Sequence, residues 1–268
     1  MKHELIHIGT SGWSYDHWKG PFYPAGLPND QMLAYYFRHF QTVEINSSFY
    51  HLPQKQTLER WREAAPESFI FTAKASRYIT HMKKLKDPQE SVATFLERIR
   101  ILGDKLGPIL FQLPPRWHFN EVRLAGLLDA LSGEFRYAFE FRDHSWLNER
   151  TYALLSRHKA AFCIYELEGF LSPKEITADF IYVRLHGPNG AYQGSYNAQT
   201  LAGWAGAFSA WASRGHSVYC YFDNDEAGYA AQNAQRLEDM LYAETKKKRR
   251  MPGGHAGKGC TLYPHCDR

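Results

Sequence analysis

Eight short apolar runs recur along this chain, and their spacing limits its fold more than any other feature. They are LIHIG (5–9), TVEIN (42–46), FIFTAK (69–74), PILFQL (108–113), YAFEFR (137–142), AFCIYE (161–166), FIYVRLH (180–186) and VYCYFDN (218–224). Each is rich in Val, Ile, Phe and Tyr, the side chains that suit a pleated, half-buried surface. Most intervening segments show helical spacing instead. Leu58, Trp61, Ala64 and Ala65 make one apolar stripe; Val92, Phe95, Leu96, Ile99 and Leu102 make a second, ended by Gly103. Leu124, Leu127, Leu128 and Leu131 make a third, with Gly133 as its expected C-cap. Segments 197–213 and 226–243 also read as helices, Pro66 and Pro88 mark boundaries, and 166–179 has room for a short helix only. Eight strands alternating with helices over about 240 residues predict the α/β class and a single (β/α)8 TIM barrel. A doubly wound open sheet is the alternative, but no GxGxxG follows the first run and no phosphate-loop motif occurs.

Composition narrows the function classes. With 268 residues, 44% of them hydrophobic, the chain buries a large core. No apolar run is long enough for a membrane span, and MKHELIHIGTSGW lacks the apolar stretch of a signal peptide, so a cytoplasmic protein is expected. Four cysteines, two of them inside strand-like runs, imply no disulfide framework. The net charge of +4 is unevenly placed: from Lys246 onward seven Lys/Arg and one Asp contribute +6, leaving −2 for residues 1–245. A run KKKRR (246–250) beside MPGGHAGKG reads as a disordered tail, so residues 1–243 form the barrel domain and 244–268 the tail. His255, Cys260, His265 and Cys266 in that tail follow none of the usual zinc spacings.

Side chains alternate along a strand. Val43 and Ile45 therefore oppose Glu44 and Asn46, Phe71 and Ala73 oppose Thr72 and Lys74, and Phe111 and Leu113 oppose Gln112. Phe139 and Phe141 oppose Glu140 and Arg142, Val183 and Leu185 oppose Arg184 and His186, and Phe222 opposes Asp223. The apolar face must pack on helices, so the polar face points into the barrel, at the C-terminal strand ends where TIM-barrel sites are built. Burying several charges costs several kcal/mol per ion unless they are paired, and a merely stable barrel would use Leu or Val there. The repetition at six of eight strand ends points to binding or catalysis.

Roles follow from chemistry. Glu44, Lys74, Glu140 and His186 are the acid–base or nucleophilic candidates, with Lys74 expected to lose basicity if it lies buried beside arginines. Arg142 and Arg184, with Lys74, suit a phosphate or carboxylate. Asn46, Gln112, Asp223 and Asn224 complete the expected ligand contacts. Aromatic residues follow the strands: Trp13, Tyr15, Trp18, Phe49, Tyr50, Trp146 and Tyr192, of which Trp13 and Tyr192 are taken as substrate contacts. Backbone amides of HGPNG (186–190) and of the turn at 225–228 are further phosphate candidates. The expected partner is a small anionic molecule, with no metal and no cofactor. A glycosidase using Glu44 and Glu140 is a variant of the same idea. Nucleic acid is the alternative, against which stands the charge of −2 on the folded part.

The blocks GTSGWSYDHWKGPFYP (9–24), VEINSSFYHLP (43–53), FTAKASRYITH (71–81), ILFQLPP (109–115), FEFRDHSW (139–146), YVRLHG (182–187) and YFDND (221–225) resemble the domain of unknown function 72 family, the YecE-like proteins. The resemblance spans about residues 5–241 and implies a TIM barrel without implying an activity. Two positions depart from the family pattern. Phe222-Asp223-Asn224 stands where Phe-Asn-Asn is usual, adding a carboxylate, and Tyr165-Glu166 stands where the sixth strand often ends in Asp.

Overall fold

The computed structural model describes residues 3–250, with side chains from 4 to 242. All eight predicted runs are strands: β1 (Ile6–Thr10), β2 (Thr42–Ile45), β3 (Ile70–Lys74), β4 (Leu106–Leu113), β5 (Tyr137–Phe141), β6 (Ala161–Leu167), β8 (Phe180–Leu185) and β9 (Ser217–Phe222), with a two-residue β7 (Phe170–Leu171) between β6 and β8. Neighbours pair in the order β1-β9-β8-β6-β5-β4-β3-β2, all parallel. The circle is completed between β1 and β2 by a bridge at Ser11 and Glu44 and by Gly12 N–H donating to the Glu44 carbonyl at 2.8 Å. Gly9 permits this approach, because a Cβ there would lie 2.2 Å from the Thr42 carbonyl oxygen. The result is a single (β/α)8 TIM barrel.

Helices α1 (Met32–Tyr36), α2 (Ser47–Tyr50), α3 (Lys55–Ala64), α4 (Gln89–Ile99), α5 (Glu121–Ala130), α6 (Glu149–Arg157), α7 (Ala198–Ser213) and α8 (Tyr229–Arg250) lie in the connections. Sequence chemistry sets their ends. Asn120, Asn148 and Asn197 accept the backbone N–H of Arg123, Thr151 and Thr200, which caps α5, α6 and α7. Gly103 ends the α4 stripe at φ 60. Gly133 is not a left-handed cap: α5 stops earlier, with Leu131 already extended. Segment 166–179 holds no helix. Glu168 and Gly169, both at positive φ, turn β6 back into an antiparallel pairing with β7, the geometry a two-residue hairpin requires. KKKRR, assigned by composition to the tail, lies in the helical backbone of α8; residues 251–268 lie outside the described residues. No helix among the described residues is long and apolar enough to cross a membrane.

The alternation along each strand separates two buried layers. Val43, Ile45, Phe71, Phe111, Phe139, Phe141, Val183 and Phe222 belong to the large core beneath the helices. Leu110, Ala138, Ala161, Cys163, Phe180, Tyr182, Tyr219 and Tyr221 form a second cluster, which fills the lower barrel. Threonine hydroxyls meet its tyrosines: Thr42 and Tyr221 lie 2.7 Å apart, Thr72 and Tyr182 3.2 Å. One rung higher, the interior becomes ionic.

Candidate active site

Arg184, carried by β8, is fully buried at the centre of the mouth. One guanidinium nitrogen, Nη2, donates to Glu44 at 2.8 Å and to Asp223 at 3.0 Å; Nη1 donates to Glu140 at 2.8 Å. Ser11 and Gln112 lie on the same two nitrogens at 2.8 and 3.4 Å. Five strands thus present polar residues at or just beyond their C-terminal ends to one planar cation, a fork no lysine could replace. Each carboxylate has further partners. Glu44 accepts from the Ser11 hydroxyl and from Tyr182 at 2.6 Å; Glu140 also pairs with Arg142; Asp223 lies 2.9 Å from His186 Nδ1. Arg142 Nη2 approaches His186 Nε2 at 3.0 Å. Since an arginine can only donate, His186 Nε2 is the acceptor, and Nδ1–H donates to Asp223.

The electrostatics follow from this packing. Burial alone would raise Glu140, but Arg142 and Arg184 outweigh it and hold the carboxyl well below its usual range. Asp223 is also lowered: burial opposes, and Arg184 and His186 prevail. Burial works against charge on Arg184 too, yet Glu44 and Glu140 hold its proton more firmly than usual. Glu140 and Asp223 are therefore held as carboxylates and Arg184 as a cation near neutral pH, while Arg184 Nε is buried without a hydrogen-bond partner.

The side of the mouth formed by β2 and β3 differs. Lys74 ends β3 with its ammonium 4.5 Å above the Phe49 ring, and among the described residues that ammonium has neither a carboxylate nor a hydrogen-bond acceptor. Burial, then the charge of Arg184, lower Lys74 to about 8. His81 stands near it on a π-helical turn (Tyr78–Met82), the kind of distortion that often marks functional sites. Burial, then Lys74, Arg77 and Arg142, lower His81 to about 4, so it is a neutral imidazole in a field of cations. Asn46 follows Ile45, whose register partner Ala73 precedes Lys74, and its amide oxygen is buried without a partner.

Glu44, Gln112, Glu140, Arg142, Arg184, His186 and Asp223 thus converge as the alternation predicts, with Lys74 and Asn46 beside them. Tyr192, at φ 66, places its ring edge-on to His186 at 5.6 Å. Trp13 lies next to Asn46 in a side cleft. Asn224 does not join them: it follows inward-facing Asp223, so it faces the other way and donates to Gly194 and Asn233. Trp18 and Trp146 are fully buried core residues rather than rim aromatics. The Gly187 amide is engaged by the Tyr196 hydroxyl at 3.0 Å and the Gly228 amide by the Asp225 carbonyl at 3.2 Å, so neither is free for a phosphate. Ser11, Tyr182 and His81 were not among the expected site residues. Tyr182 precedes Arg184 by two on one face and was within reach of the alternation argument; His81, placed by a π-turn, was not. Among the described residues no three or more His, Cys, Asp or Glu side chains are grouped to hold a metal ion. The carboxylates surround a guanidinium instead.

Comparison with known proteins gives a consistent likeness. A family model described as "Protein of unknown function DUF72" matches residues 7–256. The UPF0759 protein YunF of Bacillus subtilis is 28% identical, over 90% of this chain and 96% of its own. The UPF0759 protein YecE of Escherichia coli is 35% identical over 52% of this chain and 48% of its own. A crystal structure of a DUF72 family protein from Thermotoga maritima superposes with a TM-score of 0.81 at 30% identity, covering 89% of this chain and 99% of that one. Another, from Enterococcus faecalis, shares the fold with a TM-score of 0.74 at 21% identity, covering 90% and 99%.

Proposed function

The chain belongs to the DUF72 family, and from the charges at its barrel mouth we propose that it binds a small phosphate- or carboxylate-bearing molecule over Lys74 and acts on it without a metal or cofactor. One observation carries this reading: Lys74 is a cation at the open mouth with no anion of its own, while each neighbouring buried carboxylate is already paired. A desolvated ammonium without a counter-ion favours an incoming anion. Arg77 adds positive charge near His81, while Glu44, Asp223 and Glu140 offset Arg142 and Arg184, so the reading rests on the missing direct partner of Lys74.

The same geometry supports Lys74 as the reactive group. With its proton released near pH 8, a substantial fraction is neutral amine at physiological pH, fit to abstract a proton or attack a carbonyl. Glu140 and His186 are less suited, because both are fully buried with their polar atoms held by Arg142, Arg184 and Asp223. They serve to position Arg142 and Arg184. Metal independence is supported by Arg184, whose guanidinium occupies the point that Glu44, Glu140 and Asp223 share. A reducing, cytoplasmic setting is supported by Cys163 and Cys220, both buried free thiols. The test is calorimetric titration of inorganic phosphate into the wild type and Lys74→Met. The wild type is expected to bind and the variant to lose at least about tenfold in affinity, or 1.4 kcal/mol. Equal binding by both removes the reading.

A further inference from the structure

A cavity lies beside Asn46, after β2. It is an open cleft of about 450 Å³ whose lining includes Trp13, Tyr15, Asn46, Tyr50 and Trp61. Trp13 after β1 and Trp61 of α3 meet at right angles, centroids 5.0 Å apart, and form a corner. Tyr50, at the end of α2, is 61% exposed and open to an incoming ring. The walls are built into the backbone. Gly12, at φ 91, leaves room for Tyr15, whose hydroxyl would lie 2.5 Å from a Cβ there and instead donates to the Ser11 carbonyl at 2.6 Å. Ser11 in turn donates to Glu44, so the cleft is anchored to the Arg184 network.

Asn46 is the residue that links the cleft to the cation. It lines the cleft and follows Ile45, whose register partner Ala73 directly precedes Lys74 on the adjacent strand. Its unpartnered buried oxygen lies at the junction and calls for an N–H or O–H from whatever bridges the two. Building on the anion reading above, we infer that the ligand carries a flat ring joined directly to its anionic group. The anion is held by Lys74 and the ring stacks in the Trp13–Tyr50–Trp61 corner. A cleft lined by Trp13, Tyr15, Tyr50 and Trp61 suits a planar ring.

The experiment compares inorganic phosphate with phenyl phosphate by calorimetry, in the wild type, Tyr50→Ala and Lys74→Met. Stacking is expected to make phenyl phosphate at least about tenfold tighter than inorganic phosphate in the wild type. In Tyr50→Ala the ratio of the two affinities should fall several-fold toward one, and Trp13→Leu should lower it likewise. In Lys74→Met both probes should weaken together. Equal affinity for the two probes in the wild type, or a ratio that survives both aromatic substitutions, overturns the ring site while leaving the anion reading intact. Failure of both probes to bind the wild type overturns the anion reading, and the ring site falls with it.

Discussion

The two sides of the barrel mouth hold the same kinds of residue under opposite conditions. On the side of β5, β8 and β9, the terminal nitrogens of Arg184 and the guanidinium of Arg142 are answered by Glu44, Glu140, Asp223 and His186, leaving little for a visitor beyond the buried, unpartnered Arg184 Nε. On the side of β2 and β3, Lys74 has an aromatic ring beneath it but no anion, and Asn46 has a buried oxygen with no donor. The difference separates scaffold from site. A closed ion network holds the strand ends in register and fixes the field; the unsatisfied side is where a ligand completes the missing contacts. The presence of charge in a barrel therefore says less about function than whether that charge is already answered.

Arg184→Met is the strongest way to break the comparison, because it strands Glu44, Glu140 and Asp223 in the interior. A loss of about 3–5 kcal/mol in urea unfolding is expected. A stability within about 1 kcal/mol of wild type would mean the network is not the scaffold described.

Glu140→Gln should cost about 2–3 kcal/mol at neutral pH, since Arg142 and Arg184 both lose a charged acceptor. Its pH dependence is more telling. Glu140 and Asp223 have folded values below their ordinary 4.5 and 3.8, so the unfolded chain takes up protons first as pH falls. Their contribution is complete above those ordinary values and is lost as pH drops through the lowered ones. Stability of the wild type should fall steeply below about pH 4, and the slope in Glu140→Gln should be shallower.

Lys74→Met should move the other way. Its ammonium is held unfavourably in the fold, with a value of about 8 against 10.5 in the unfolded chain. It therefore detracts from stability below pH 8, and that burden lifts as pH rises from there toward 10.5. The variant is expected to be equally stable or up to about 1 kcal/mol more stable at pH 7, by thermal unfolding, while losing phosphate binding. Tyr50→Ala has the smallest expected effect on the fold, within about 0.5 kcal/mol, because the ring is largely in solvent.

Much of this was legible from the residues. Each of the eight β-branched and aromatic runs forms a strand, and strict alternation sends Glu44, Glu140, Arg184 and Asp223 into one interior. Periodicity misleads where a neighbour in sequence is read as a neighbour in space: Asn224 follows Asp223 and therefore points elsewhere. It is silent about which charges pair, since that depends on the stagger of strands around the barrel. His81 reaches the mouth only because the chain takes a π-turn after β3, a distortion with no apolar pattern to announce it. The Glu168-Gly169 turn was a readable hairpin signal hidden inside a segment too short to show any period.

The central claim, that Lys74 is the unanswered charge of the mouth, is tested most directly by NMR titration of the Lys74 side chain, assigned through Lys74→Met, with and without inorganic phosphate. The account predicts a value near 8 in the free protein, moving up toward 10.5 when phosphate binds and supplies the missing counter-charge. A Lys74 that titrates at its ordinary value, or one that stays near 8 in saturating phosphate, would contradict it.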